Sequence, residues 1–376
     1  MAEPHLPVFQ PHIGVDTIKA VVDAFDVGWL GMGATTQAFE KQIEAYLGCE
    51  PRRVLATNTG TSALHLALAV AGVGPGDEVI TPSFNFVADH MAIRACGAEP
   101  VLCDIRDDDL GADPASVASL IGPKTKAIIP LHMAGIPCRI DEIYALAREH
   151  RLRVIEDATH AFGTRVGGKA IGAGGDLTCF SFDPVKVITS IDGGAVVVRG
   201  QEELAVAQQI RILGIDKDTV ERYKNTRAWE YDVLRDGQRY HLTNINASIG
   251  VSQMKRVDEF ISSRQRTCRR YSAAFRGLPG VTLPATDFTD VSPFIYFLRV
   301  PAARRLPFIE ALRARNIATG IHFLPSHKFT VAQKWRQSAM PVTERVCEEI
   351  VTLPLHSNMP DQLADRVIEA VTELLR

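Results

Sequence analysis

Several familiar chemistries are missing from this 376-residue chain. Its seven cysteines, at 49, 96, 103, 138, 179, 268 and 347, are odd in number and never fall in CxxC spacing, so neither a disulfide framework nor a zinc site is indicated. The eleven histidines include no HExxH pair, and no metal is expected. No Walker A lysine and no GxGxxG turn occurs, which argues against nucleoside triphosphate or dinucleotide binding. The charge is nearly balanced, with 41 Lys and Arg against 44 Asp and Glu for a net charge of -3, so no nucleic-acid partner is expected. No apolar run approaches the roughly 18 residues that a membrane span needs. The opening Met-Ala-Glu-Pro-His-Leu-Pro lacks a basic n-region and an apolar h-region. A cytoplasmic chain with no membrane partner is the expectation. Internal repeats and low-complexity tracts are also lacking.

What is present is enough apolar residue, 46%, to bury a large core in two or three folding units. Strand-like runs at 53–57, 78–81, 99–104, 125–130 and 152–155 alternate with helical patterns at 62–72, 85–95, 113–120 and 139–150. That alternation predicts an α/β fold built on a mainly parallel, helix-covered sheet, with further strands at 177–181 and 193–198. After a helix near 202–213, the polar stretch 214–225 reads as a mobile loop, and one long helix is expected over 244–272. The expected organisation is a large domain over 1–243, the linking helix, and a smaller C-terminal α/β domain over 273–376.

Lys186 lies in Cys-Phe-Ser-Phe-Asp-Pro-Val-Lys-Val-Ile-Thr-Ser-Ile-Asp-Gly-Gly (179–194), a lone amine in an apolar run. Burial among Phe180, Phe182, Val185, Val187 and Ile188 would disfavour the ammonium and free a nucleophilic amine, as a Schiff-base lysine requires. A snorkelling lysine, stem packed and head in water, is the alternative. Upstream, Arg-Val-Ile-Glu-Asp-Ala-Thr-His-Ala (153–161) reads as a short strand ending in Asp157. Ligands of open α/β sheets bind at that edge, where an acid can keep a pyridine nitrogen protonated. Asp157 could equally cap a turn or helix. At 54–72 a strand meets a Thr-Gly-Thr-Ser turn and an Ala/Leu-rich helix. The first-turn amides suit a phosphate, Gly60 allows close approach, and Thr61 and Ser62 can add bonds. A phosphate turn, an acid and an amine are the parts that pyridoxal 5'-phosphate (PLP) needs.

Thr-Gly-Thr-Ser-Ala-Leu (59–64), Thr-Pro-Ser-Phe-Asn-Phe-Val-Ala (81–88), Glu-Asp-Ala-Thr-His-Ala (156–161) and Ser-Phe-Asp-Pro-Val-Lys with Asp-Gly-Gly together resemble the DegT/StrS-type PLP-dependent sugar aminotransferases. The resemblance runs from Gly28–Gly33 to Leu353–His356 and implies the aspartate aminotransferase fold, type I. It implies that Lys186 holds PLP covalently, Asp157 pairs with the pyridine nitrogen, and His160 lies by the 3-hydroxyl. It further implies that Ser181, Gly60 and Thr61 bind phosphate and that Phe86 stacks on the ring. Arg239 stands where relatives often carry an Asn that reaches the partner subunit's cofactor phosphate, which an arginine could grip bidentately. Asp183 and Asp192 depart from the usual His or Tyr and Glu. In Thr-Gly-Ile-His-Phe-Leu-Pro-Ser-His-Lys (319–328), His322 and His327 become substrate-side candidates.

The implied activity is transfer of an amino group from glutamate, through pyridoxamine phosphate (PMP), to a nucleotide-linked keto-deoxysugar. Such amino sugars feed glycans, lipopolysaccharide O-antigen among them, or secondary metabolites. A homodimer with shared sites is implied as well. An aminotransferase of cyclitols or cyclic keto acids, and a non-catalytic PLP-binding regulatory protein, are the alternatives. A deoxysugar dehydratase is disfavoured because such relatives carry histidine where Lys186 stands.

Overall fold

A computed structural model describes residues 4–216 and 230–376, so most of the stretch expected as a mobile loop, 217–225, lies outside the described residues. The main sheet takes β1 Arg53–Thr57, β2 Glu78–Pro82, β3 Glu99–Cys103, β4 Thr125–Ile128 and β5 Arg153–Asp157. A short hairpin, β6 Arg165–Val166 and β7 Lys169–Ala170, precedes β8 Leu177–Ser181 and β9 Gly194–Val198. The seven strands run in the order β1-β9-β8-β5-β4-β2-β3, with β9 running opposite to the other six. The expected α/β class and mainly parallel sheet are therefore present. Strands covered on both faces must be apolar nearly throughout, which is why β8 and β9 read Leu-Thr-Cys-Phe-Ser and Gly-Ala-Val-Val-Val and are buried end to end.

Helices α1 Val15–Val27 and α2 Ala34–Leu47 open the chain, though the apolar pattern did not announce either. They are followed by α3 Gly60–Val70, α4 Ala88–Ala95, α5 Pro114–Leu120, α6 Ile140–His150 and α7 Gln201–Arg211. The helix expected over 244–272 is two: α8 Asn244–Met254 and α9 Val257–Phe275, parted at Lys255 and Arg256. Thr243 caps α8, its hydroxyl accepting from the Asn246 amide at 3.3 Å. α8 then packs on α1 and α2, while α9 packs on the C-terminal helix.

The C-terminal part holds the antiparallel pair β10 Tyr296–Arg299 and β11 Ile350–Leu353, with α10 Ala302–Ala314, α11 Pro341–Glu349 and α12 Asp361–Leu375. Its core takes in Tyr271, Phe275, Phe288, Tyr296 and Leu312, and also Leu6, Phe84, Leu131 and Met133 from the first half of the chain. Leu6 bridges to Ile317, so the first described residues pack with the C-terminal part rather than with the large sheet. Among the described residues no helix is long and apolar enough to cross a membrane.

Candidate active site

Register brings the predicted residues to one edge. Gly194 is the Cα partner of both Thr57 and Ser181, and Asp157 is the partner of Cys179, so the ends of β1, β5 and β8 meet beside the start of β9. A side chain at Gly194 would fall 2.3 Å from the Thr59 carbonyl oxygen, which is why the second residue of the Gly-Gly pair has no Cβ. A cleft of about 430 Å³ opens there and is lined by Gly60, Thr61, Phe86, Asp157, His160, Ser181, Lys186 and His322 from the expected set.

The phosphate turn forms because Thr59 caps α3, its hydroxyl accepting from the Ser62 amide at 3.0 Å. The amides of Gly60 and Thr61 precede the first intrahelical bonds and point outward. A Cβ on Gly60 would stand 2.8 Å from the Ser181 Cβ, so turn and serine share one small cradle. Ser62, by contrast, is occupied: its hydroxyl donates to Asn58 Oδ1 at 2.6 Å.

The lysine is carried by a tight turn. The Lys186 amide donates to the Asp183 carbonyl at 3.0 Å, and the Asp183 carboxylate accepts from the Val185 amide at 3.0 Å. Lys186 Nζ lies 4.0 Å from the centroid of the Phe294 ring. The residue is half-buried, and it lines the cleft. Burial brings the amine from its ordinary 10.5 down to about 8, against the opposing attraction of Asp157 and Asp183.

Asp157 is buried, and its Oδ1 accepts from the Thr159 amide at 2.9 Å. Strand alternation turns the adjacent Glu156 to the opposite face, where it accepts from Tyr144 at 2.7 Å and meets His132 at 3.0 Å. His160 is buried with its ring stacked 4.3 Å from Phe294, and its Nδ1 has no partner among the described residues. Burial, then the charges of Lys186 and His322, hold its pKa well below the usual histidine range. His322 is brought down to about 4 by burial and Lys186, and pairs with Thr352 Oγ1 at 2.9 Å. Phe86 stands at the mouth, 58% exposed.

Two expected residues do not line this cleft. His327 Nδ1 bonds Ser83 Oγ at 2.8 Å and its Nε2 lies 3.4 Å from Glu344, tying the end of β2 to the C-terminal part. Arg239 is exposed and bridges to Ile212 outside its own cleft. Conversely, Phe9, Asn85, Asp89, Phe294 and Phe323 line the cleft without having been singled out. Asn85 and Asp89 had a signal, since they flank Phe86 within and just beyond a quoted motif. Arg264 had none. This fully buried cation, with no carboxylate partner among the described residues, donates to the carbonyls of Phe294 and Leu355 at 3.1 and 3.3 Å and, at 3.4 Å, to that of Lys186.

A model of the DegT/DnrJ/EryC1/StrS aminotransferase family matches residues 11–372. The chain belongs to this family. Its relatives include the spore coat polysaccharide biosynthesis protein SpsC of Bacillus subtilis, 35% identical over 99% of this chain and 97% of that one. The crystal structure of the aminotransferase TlmJ from Streptoalloteichus hindustanus superposes with a TM-score of 0.92, at 33% identity over 99% of each chain. Spr1654 of Streptococcus pneumoniae has been solved in a PMP form (TM-score 0.91, 29% identity, 98% of each chain) and a PLP form (0.90, 28%, 99% of this chain and 98% of that one).

As a DegT/DnrJ/EryC1/StrS aminotransferase, the protein is a PLP-dependent enzyme whose cofactor alternates between PLP and PMP. The residues present fit that cofactor: a desolvated amine, an acid at a strand end, an unpartnered imidazole nitrogen, and a glycine-and-serine cradle under free helix amides.

Proposed function

We propose that this enzyme transfers an amino group from glutamate to a nucleotide-linked keto-deoxysugar, yielding an amino sugar for a glycan such as O-antigen or for a secondary metabolite. The observation that carries the acceptor class is the set of phenylalanines lining the cleft that holds the amine. Phe9, Phe86, Phe294 and Phe323 offer apolar faces, against which the C–H face of a deoxysugar can pack. The cleft is open at exposed Phe86, leaving a way out for a bulky leaving-side group such as a nucleotide.

When bound, PLP supplies an electron sink for the carbanion formed at the donor α-carbon. Lys186 would hold the cofactor, and its Nζ, once free, would take the proton from the donor α-carbon. An amine near 8 keeps a neutral, basic fraction at neutral pH. Asp157 would hold the proton on the pyridine nitrogen, with His160 on the 3-hydroxyl side and Phe86 over the ring. Gly60, Thr61 and Ser181 bind the phosphate. The same residues, used in reverse, aminate the sugar, with His322 on the substrate side and His327 supporting the loop behind it.

A homodimer completes the site. Val15, Ile18, Val22 and Phe25 form an exposed stripe along α1, a face of 53–83% exposure that a soluble monomer would leave in water. Arg239, exposed outside its own cleft, would reach the cofactor phosphate of the other subunit.

The test is an absorption spectrum before and after excess glutamate, followed by a panel of nucleotide-linked keto sugars. Glutamate should bleach the band of the bound cofactor and one sugar should restore it. Restoration by cyclic keto acids alone would move the acceptor to another class, and no band after adding PLP would remove Lys186 from its role.

A further inference from the structure

Beneath the cleft sits a second carboxyl group that the transfer reaction does not use. Asp89, in the first turn of α4, is fully buried. Its Oδ2 accepts from Asn85 Nδ2 at 2.7 Å and from Thr81 Oγ1 at 3.3 Å. The same Asn85 Nδ2 reaches Asp157 Oδ2 at 3.5 Å, so one amide straddles the two acids. Among the described residues Asp89 Oδ1 is buried with no hydrogen-bond partner, and no lysine or arginine forms an ion pair with Asp89. The Asp157 carboxyl neighbours it, close enough for a hydrogen bond once one of the two acids carries a proton.

We propose that Asp89 and Asp157 share one proton, with Asp89 its holder and the positioning residue for Asp157. Two carboxylates in contact in a low-dielectric interior cannot both ionise. Which one keeps the charge follows from their surroundings. Asp157 accepts the Thr159 amide and attracts the Lys186 ammonium. Asp89 has one amide and one hydroxyl as donors, and Cys179 of β8 lies near enough that burial and both acids raise its thiol. Burial first, and then Asp157, drive the Asp89 pKa well above the usual carboxylate range. Protonated, Asp89 gains a donor, its orphaned oxygen is satisfied, and Asp157 is left as a single oriented negative charge.

The inference rests on Asp157 as the partner of the pyridine nitrogen, so its test begins without cofactor. Infrared difference spectra of the apoprotein at pH 7, wild type minus Asp89→Asn, should show the carbonyl stretch of a protonated carboxylic acid. Only carboxylate bands in that difference would overturn the proposal while leaving the role of Asp157 intact. Should the amide variant not fold, Asp89→Ser is compared in the same way. In the holoenzyme, Asp89→Asn should leave the pH midpoint of the cofactor absorption unchanged, because a neutral group replaces a neutral group. Loss of a true negative charge at this site would lower that midpoint by about one pH unit, and such a fall would also overturn the pairing. Asp157→Asn, read by the same spectrum, tests the parent assignment separately.

Discussion

Replacing Lys186 by methionine should make the apoprotein more stable, not less. The lysine amine falls from 10.5 to about 8 on folding. Below pH 8 it is protonated in both the folded and unfolded states, so the folded protein bears the whole penalty of a desolvated ammonium. A drop of about 2.5 pH units corresponds to roughly 3 kcal/mol as an upper value. Partial exposure of the residue screens some of this, and a gain on the order of 1–3 kcal/mol is expected for Lys186→Met at pH 7. As pH rises through 8 the folded lysine sheds its proton and the penalty shrinks, and above 10.5 it is gone. The advantage of the variant should therefore be largest at pH 7 and fade toward pH 10.5. Thermal unfolding of cofactor-free protein across pH 7–10.5 measures it, with a rise of a few °C expected at the low end. A variant less stable at pH 7, or a gap that does not change with pH, would show that the amine is not desolvated.

Gly60→Ala should weaken PLP binding roughly ten- to hundredfold, because the new methyl falls on the Ser181 Cβ and spreads the phosphate cradle; a PLP titration of the apoprotein checks it. Arg264→Met removes a buried cation but leaves the carbonyls of Phe294 and Leu355 unpaired, and the second effect should win, lowering stability by about 2–4 kcal/mol in denaturant unfolding. Val22→Glu with Phe25→Glu should fold normally, since both side chains are exposed in the subunit, yet give monomers by light scattering with reduced activity.

Much of the site was legible because its chemistry is local. A glycine at a helix start, an acid closing a β-branched strand and a lysine in an apolar turn each declare themselves within a few residues. The helix over 244–272 was misread because apolar spacing continues through Lys255 and Arg256, where α8 ends on α1 and α2 and α9 turns to another partner. Sequence alone does not place His327, because a histidine beside a cleft-lining segment looks alike whether it faces the cleft or, as here, bonds Ser83 behind it.

The sequence by itself determined the α/β class, the mainly parallel sheet, and the turn, acid and amine that suit PLP, because periodicity and short-range steric needs are written into neighbouring residues. Only the tertiary structure decided that Phe294 faces the amine, that Arg264 holds the carbonyls behind it, and that Asp89 lies under Asp157. These contacts join residues up to about a hundred positions apart, and strand register together with side-chain direction, neither encoded in a local pattern, brings them together.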